Sequence, residues 1–154
     1  MNLAEFRRTL RLEGMEGVEE KWLNLLELTV IDTSLALDVI DLMIAEEEKK
    51  QASDFFEMLV SELLEREDYE SALTVLKRQA QVFPTNKMLR ERLIACYRAL
   101  YASEYDVDRI IDETGIRARR PVREALARME LFLSFRPGDP IQHRSWGLGI
   151  VKEV

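Results

Sequence analysis

Apolar residues recur every three to four positions, with polar residues between them, from Leu3 to Leu133. This is the period of an α-helix, and it predicts a succession of amphipathic helices. Leu3, Phe6 and Leu10 form a short first stripe that Gly14 ends. Val18, Trp22, Leu25 and Leu26 mark a second helix, from about Glu16 to Val30. Asp32, Thr33 or Ser34 can cap the next by accepting a free backbone N–H. That third helix is expected to run to about Lys50. Its apolar positions (Leu35, Ala36, Val39, Ile40, Leu42, Met43, Ile44) cover more than one stripe, so it is expected between two neighbours. Glu46 and Lys50 would form an i,i+4 pair on it, worth about 0.3 kcal/mol.

Residues Ser53 to Pro84 read as two helices folded into a hairpin. Phe56, Leu59, Val60 and Leu63 lie on one stripe, and Arg66-Glu67-Asp68 makes a polar break. Tyr69, Ala72, Leu73, Leu76, Ala80 and Phe83 form the second stripe, which Pro84 stops. Neither helix can bury its apolar face alone. With Phe56, Leu59, Ala72 and Pro84 at the Trp, Leu, Ala and Pro positions, the stretch resembles a degenerate tetratricopeptide (TPR) repeat. Val60 and Leu63 replace its usual Gly and Tyr. The resemblance implies a stack of helix pairs.

Thr85 or Asn86 then caps a helix with Leu89, Leu93, Cys96, Tyr97 and Leu100 inward, and with Lys87, Arg90, Arg92 and Arg98 on or near its outer side. Asp106 or Asp108 begins a shorter helix that Gly115 ends. Arg120-Pro121 opens the last one. Its stripe is Val122, Ala125, Leu126, Met129 and Phe132 or Leu133. The expected fold class is all-α: about eight helices in stacked antiparallel, TPR-like hairpins over residues 1–135, followed by a short C-terminal β-hairpin.

Helical periodicity stops at Arg136-Pro137-Gly138-Asp139. Residues 139–154 read as strand, tight turn, strand, with Ile141 and His143 on one side and Gly147 and Gly149 permitting a sharp bend. Pro140 makes the first strand an edge. Two strands are marginal in water without further cover, so residues 136–154 are expected to be the start of a β-module whose remainder lies in a longer protein.

Gly138, Asp139, Ile141, His143, Trp146, Gly147, Gly149, Ile150 and Val151 fit the opening pattern of the Tudor-like, SH3-like barrels of bacterial transcription proteins. Similar modules occur in repair helicases of the UvrD/PcrA type and in CarD-like regulators, where they contact RNA polymerase. A helical domain ahead of such a segment resembles the N-terminal extension of some Gre-type transcript cleavage factors. The resemblance implies a non-enzymatic interaction domain of a transcription elongation factor, acting on or near RNA polymerase, with His143, Arg144 and Trp146 as candidates for the contact, against the simpler reading of His143 and Trp146 as turn and core residues of the barrel.

Composition narrows the alternatives. The chain has 154 residues, 47% hydrophobic and 33% charged, which suits one folded domain rather than a disordered chain. Twenty-two basic residues against 29 acidic ones give a net charge of −7, so direct nucleic-acid binding is not expected. Cys96 is the single cysteine. It cannot form an intramolecular disulfide, reads as a small core residue, and points to a reducing cytoplasm. The N-terminus lacks the apolar core and cleavage site of a signal peptide, and no apolar run approaches the ~20 residues of a membrane helix.

Candidate chemistry is sparse. Arg117, Arg119, Arg120, Arg123, Arg128 and Arg136 gather within a short stretch of an otherwise acidic chain. Guanidinium forks suit carboxylates and phosphates. Arg117, Arg119, Arg120 and Arg123 are therefore candidates for a protein partner, against the simpler reading of a solvated helix face. No aromatic residue interleaves with them as a stacking platform requires. His143 is the only histidine and has no neighbouring ligand at metal-site spacing. Glu67, Asp68 and Glu70 resemble the acidic tip of Gre factors but sit between short helices that fit a packed stack. No cofactor, metal or catalytic constellation is expected. The competing class is a general TPR-like scaffold that holds a peptide or helical protein in a groove lined by the first helix of each pair.

Overall fold

The computed structural model describes residues 1–117, 120–134, 140–143 and 147–150. Its chain divides into two compact units, Met1–Val75 and Leu76–Val154. No helix among the described residues is long and apolar enough to cross a membrane.

The first unit begins with α1, Leu3–Glu27, capped by Asn2, whose Oδ1 accepts from the Glu5 N–H at 3.0 Å. Gly14 breaks this helix, with φ 74° and ψ −163°, a conformation open to glycine and costly for other residues. The break turns the chain back on itself. Lys21 Nζ lies 3.8 Å from Glu5 Oε2, whereas sixteen residues of straight helix would hold them about 24 Å apart. The two expected helices, ended and resumed around Gly14, are thus the two arms of α1. The second arm stops at Glu27, three residues before the expected Val30.

Helix α2, Thr33–Ala45, is capped by Asp32, which accepts from the Leu35 N–H at 3.0 Å. It packs against both α1 and α3 (Lys49–Glu65), which explains its broad apolar surface. The expected extension of α2 to Lys50 does not occur. The helix ends at Ala45, Glu47 takes a left-handed φ of 61°, and Lys50 belongs to α3. Glu46 and Lys50 are therefore not an i,i+4 pair on one helix. Arg66-Glu67-Asp68 makes the same turn again: Glu67 has φ 58°, its N–H donates to Leu64 O, and the Asp68 N–H donates to Leu63 O. Glu47 and Glu48 donate likewise to Ile44 and Met43. Both turns are Schellman closures with Glu at the position glycine usually takes. Asp68 Oδ1 then accepts from the Ser71 N–H at 3.2 Å and so caps α4, Tyr69–Val82.

The core of this unit is Phe6, Trp22, Leu25, Met43, Phe55 and Phe56, each at most 1% exposed. Leu59 and Ala72, two more of the TPR-like positions, are also fully buried. The end of α1 is held by Arg66. Its Nη1 donates to Leu28 O at 2.7 Å and Thr29 O at 3.0 Å, its Nη2 to Leu26 O at 2.7 Å, and its Nε to Glu62 Oε1 at 2.8 Å. One planar fork thereby satisfies carbonyls that the end of α1 leaves without helical partners.

The division between units falls inside α4. The second unit continues through α5 (Leu89–Tyr101), α6 (Val107–Thr114) and α7 (Val122–Leu133), with α6 packed on both its neighbours. Asn86 Oδ1 accepts from the Met88 N–H at 2.9 Å ahead of α5, and Asp106 caps α6. Gly115 closes α6 at φ 76°, and a Cβ there would approach Arg120 Cβ to 3.3 Å. Buried Leu89, Leu93, Tyr97, Ile110, Ile111 and Met129 form the core. Arg90, expected at the outer side of α5, is instead half-buried, with Nη1 on Ile116 O at 2.8 Å and Nη2 on Arg120 O at 2.6 Å. Pro140–His143 (β1) pairs antiparallel with Gly147–Ile150 (β2), Pro140 opposite Ile150 and His143 opposite Gly147. The proposed seam at 136–139 lies outside the described residues.

Seven helices are thus seen among the described residues. The expected eight are recovered only when the arms of α1 are counted separately.

Candidate functional site

Four of the arginines singled out in the sequence are described, and each is engaged within the chain. Arg117, at the exposed end of α6, reaches Asp112 Oδ1 at 3.2 Å and Asp108 Oδ1 at 3.8 Å. These pairs are open to solvent and contribute little to stability. Arg120 Nη1 donates to Thr114 O at 3.3 Å, and its Nε lies 4.0 Å from Glu124 Oε1. Arg123 Nε donates to Ala80 O at 3.3 Å, and its Nη2 donates to Gln81 O. It therefore covers the carbonyl end of α4 much as Arg66 covers that of α1. Arg128 pairs with Glu124 at 3.4 Å. Arg119, Arg136, Arg144 and Trp146 lie outside the described residues. His143 is placed only by its backbone, opposite Gly147.

The acidic turn of the central hairpin is explained by backbone geometry. Asp68 is a helix cap and Glu67 occupies the left-handed position of the turn. Among the described residues, no three His, Cys, Asp or Glu side chains gather as a metal site requires.

In the second unit the buried Tyr97 reaches a solvent-exposed ion pair. Tyr97 Oη donates to Glu130 Oε1 at 2.7 Å, and Lys77 Nζ lies 2.6 Å from the same oxygen. Burial, and then the carboxylate beside it, raise the Tyr97 phenol well above its ordinary range. The phenol therefore stays protonated and donates, a structural role for a tyrosine held away from water. Beside it, burial pushes the Cys96 thiol up to about 11. At neutral pH this side chain is a protonated thiol and a poor nucleophile.

A feature the sequence reading passed over lies in the first unit. Helices α1 and α3 leave a groove of about 530 Å³ between them. Beneath it Trp22 is stacked on Phe55, with ring centroids 4.4 Å apart and planes 6° from parallel, both enclosed in the core. Leu23, 47% exposed, and half-buried Met58 also line it, and Glu19, Lys50 and Asp54 stand at its rim. Neither Glu19 nor Asp54 has an ion-pair partner among the described residues. Trp22 Nε1 is buried without a hydrogen-bond partner among the described residues. The available signal was Leu23, an apolar residue one step off the stripe of Val18, Trp22 and Leu25.

No protein-family description matches the chain, and neither a curated protein nor a solved structure matches it.

Proposed function

We propose that this chain is a non-enzymatic protein-interaction domain of a bacterial transcription elongation factor, similar to the N-terminal helical extension of Gre-type factors, acting on or near RNA polymerase in the cytoplasm. The observation that carries the reading is the residue pattern from Gly138 to Val151, with Asp139, Ile141, His143, Trp146, Gly147 and Gly149 at the positions that Tudor-like modules use. The antiparallel pairing of Pro140–His143 with Gly147–Ile150 is the backbone arrangement that such a module opens with, and supports the reading. His143, Arg144 and Trp146 are the proposed contact residues, and the helical part would act as a scaffold ahead of them.

The test is copurification. The tagged protein should bring down RNA polymerase, and Trp146→Ala should weaken this several-fold while the helical circular dichroism stays unchanged. Undiminished copurification after removal of residues 137 onward would overturn the reading.

The groove between α1 and α3 favours a second reading, a TPR-like scaffold that holds a peptide or helical partner. Backbone NMR distinguishes the two. Shifts confined to α1 and α3 on adding a partner would favour the scaffold, and shifts confined to residues 138–151 would favour the polymerase contact.

A further inference from the structure

Charge is distributed unevenly along this chain. Residues 1–75 hold 19 Asp and Glu against 7 Lys and Arg, a net charge of −12. Residues 76–154 hold 10 against 15, a net charge of +5. The acidic unit also holds the apolar groove. Leu23, 47% exposed, and half-buried Met58 leave apolar side chain in water above the enclosed Trp22–Phe55 pair, and a groove of this kind with a polar rim is the form of a binding site. The rim specifies the sign of the partner. Among the described residues Glu19 and Asp54 have no ion pairs, and Lys50 is the single cation lining the groove.

We infer that the groove of Trp22, Leu23, Phe55 and Met58 binds a short basic amphipathic segment of a partner protein. One or two apolar side chains of that segment would pack on Leu23 and Met58, while flanking Lys or Arg residues meet Glu19 and Asp54. The volume, about 530 Å³, suits a few side chains of a helix or extended peptide rather than a whole domain face. Binding of this kind reads as apolar anchors at helical spacing with charge selecting the partner. An acidic peptide, a nucleic acid or an anionic membrane would meet the repulsion of the whole unit. This inference is independent of the transcription reading, because it uses nothing of the 138–151 pattern.

The experiment is selection of peptides from a random twelve-residue display library on the full chain. A parallel selection uses the Glu19→Lys, Asp54→Lys double variant. Both positions are exposed, and unchanged circular dichroism confirms that the variant folds. The expected result is enrichment of peptides with net positive charge and paired Leu, Phe or Trp residues. The best of them, made synthetically, should bind with a Kd in the micromolar range and change Trp22 fluorescence in a Trp146→Phe background. The Kd should rise at least tenfold in the double variant, and also in Leu23→Ser, which removes apolar surface rather than charge. Several outcomes would overturn the proposal: no enrichment over the double variant, enrichment of acidic peptides, or affinity indifferent to Leu23→Ser. So would a chain that dimerises through the groove, with sedimentation showing a dimer that the double variant abolishes and that excludes the peptide.

Discussion

Gln79 is wholly buried, and among the described residues neither its amide nitrogen nor its amide oxygen has a hydrogen-bond partner. A buried amide of this kind costs about 1–3 kcal/mol. Gln79→Leu keeps the length and removes the polar atoms, and it should raise stability in urea by about 1–2 kcal/mol. An unchanged or lowered midpoint would contradict the account. Cys96 yields a second prediction. Its thiol ionises near 9.0 when exposed and near 11 when folded, so folding disfavours the thiolate. The corresponding stability is present below pH 9 and is lost as pH rises through 11, roughly 2–3 kcal/mol in all. Tyr97, also raised, adds a loss in the same direction. In urea titrations between pH 8 and pH 11, Cys96→Ala should flatten the decline that begins near pH 9. At pH 8, iodoacetamide should modify the native thiol at least a hundredfold more slowly than the unfolded one. Equal rates would show that Cys96 is not enclosed.

The two three-residue turns, Glu46-Glu47-Glu48 and Arg66-Glu67-Asp68, are alike in every backbone hydrogen bond. Each holds a glutamate at positive φ, 61° at Glu47 and 58° at Glu67, where a side chain costs about 1 kcal/mol relative to glycine. Glu47→Gly and Glu67→Gly should each stabilise the fold by about 0.5–1 kcal/mol, measured by denaturant midpoint. Ala at the same positions should not, because it keeps the Cβ. Helix ends are handled by a different device elsewhere. Arg66 and Arg123 donate to carbonyls at the ends of α1 and α4, and Arg90 ties α5 to the carbonyls of Ile116 and Arg120. A lysine could not reach two such carbonyls at once with a fixed fork.

At the scale of the whole molecule, the outstanding property is electrostatic. A net charge of −12 over residues 1–75 opposes the compact state of that unit through self-repulsion. Salt relieves it, because the screening length falls from about 30 Å at 0.01 M to about 8 Å at 0.15 M. The thermal midpoint should therefore rise by a few degrees between 10 and 150 mM KCl. Glu→Gln changes among Glu46, Glu47 and Glu48 should shrink that rise. A midpoint that falls with salt would mean that the surface ion pairs outweigh the repulsion. A basic partner in the α1–α3 groove would relieve the same repulsion, so such a ligand should raise the midpoint most at low salt.

Much of the helical layout was legible in the sequence. The stripes of α3 and α4, the caps at Asp32 and Asp106, the stop at Gly115 and the interruption at Gly14 all depend on residues within a few positions of one another, and local propensity acts at that range. The end of α2 is not legible in the sequence, because Glu46-Glu47-Glu48 carries no glycine or proline and a Schellman turn through glutamate leaves no compositional mark. What only the tertiary structure decided is the set of contacts between residues far apart in the chain: the doubling back that brings Lys21 to Glu5, Arg66 on the end of α1, and Trp22 against Phe55 beneath a groove. An arginine written on a helix looks the same whether it faces water or a carbonyl some forty residues away. Its partner is set by how the helices pack, and periodicity along one helix carries no information about the neighbour it will meet.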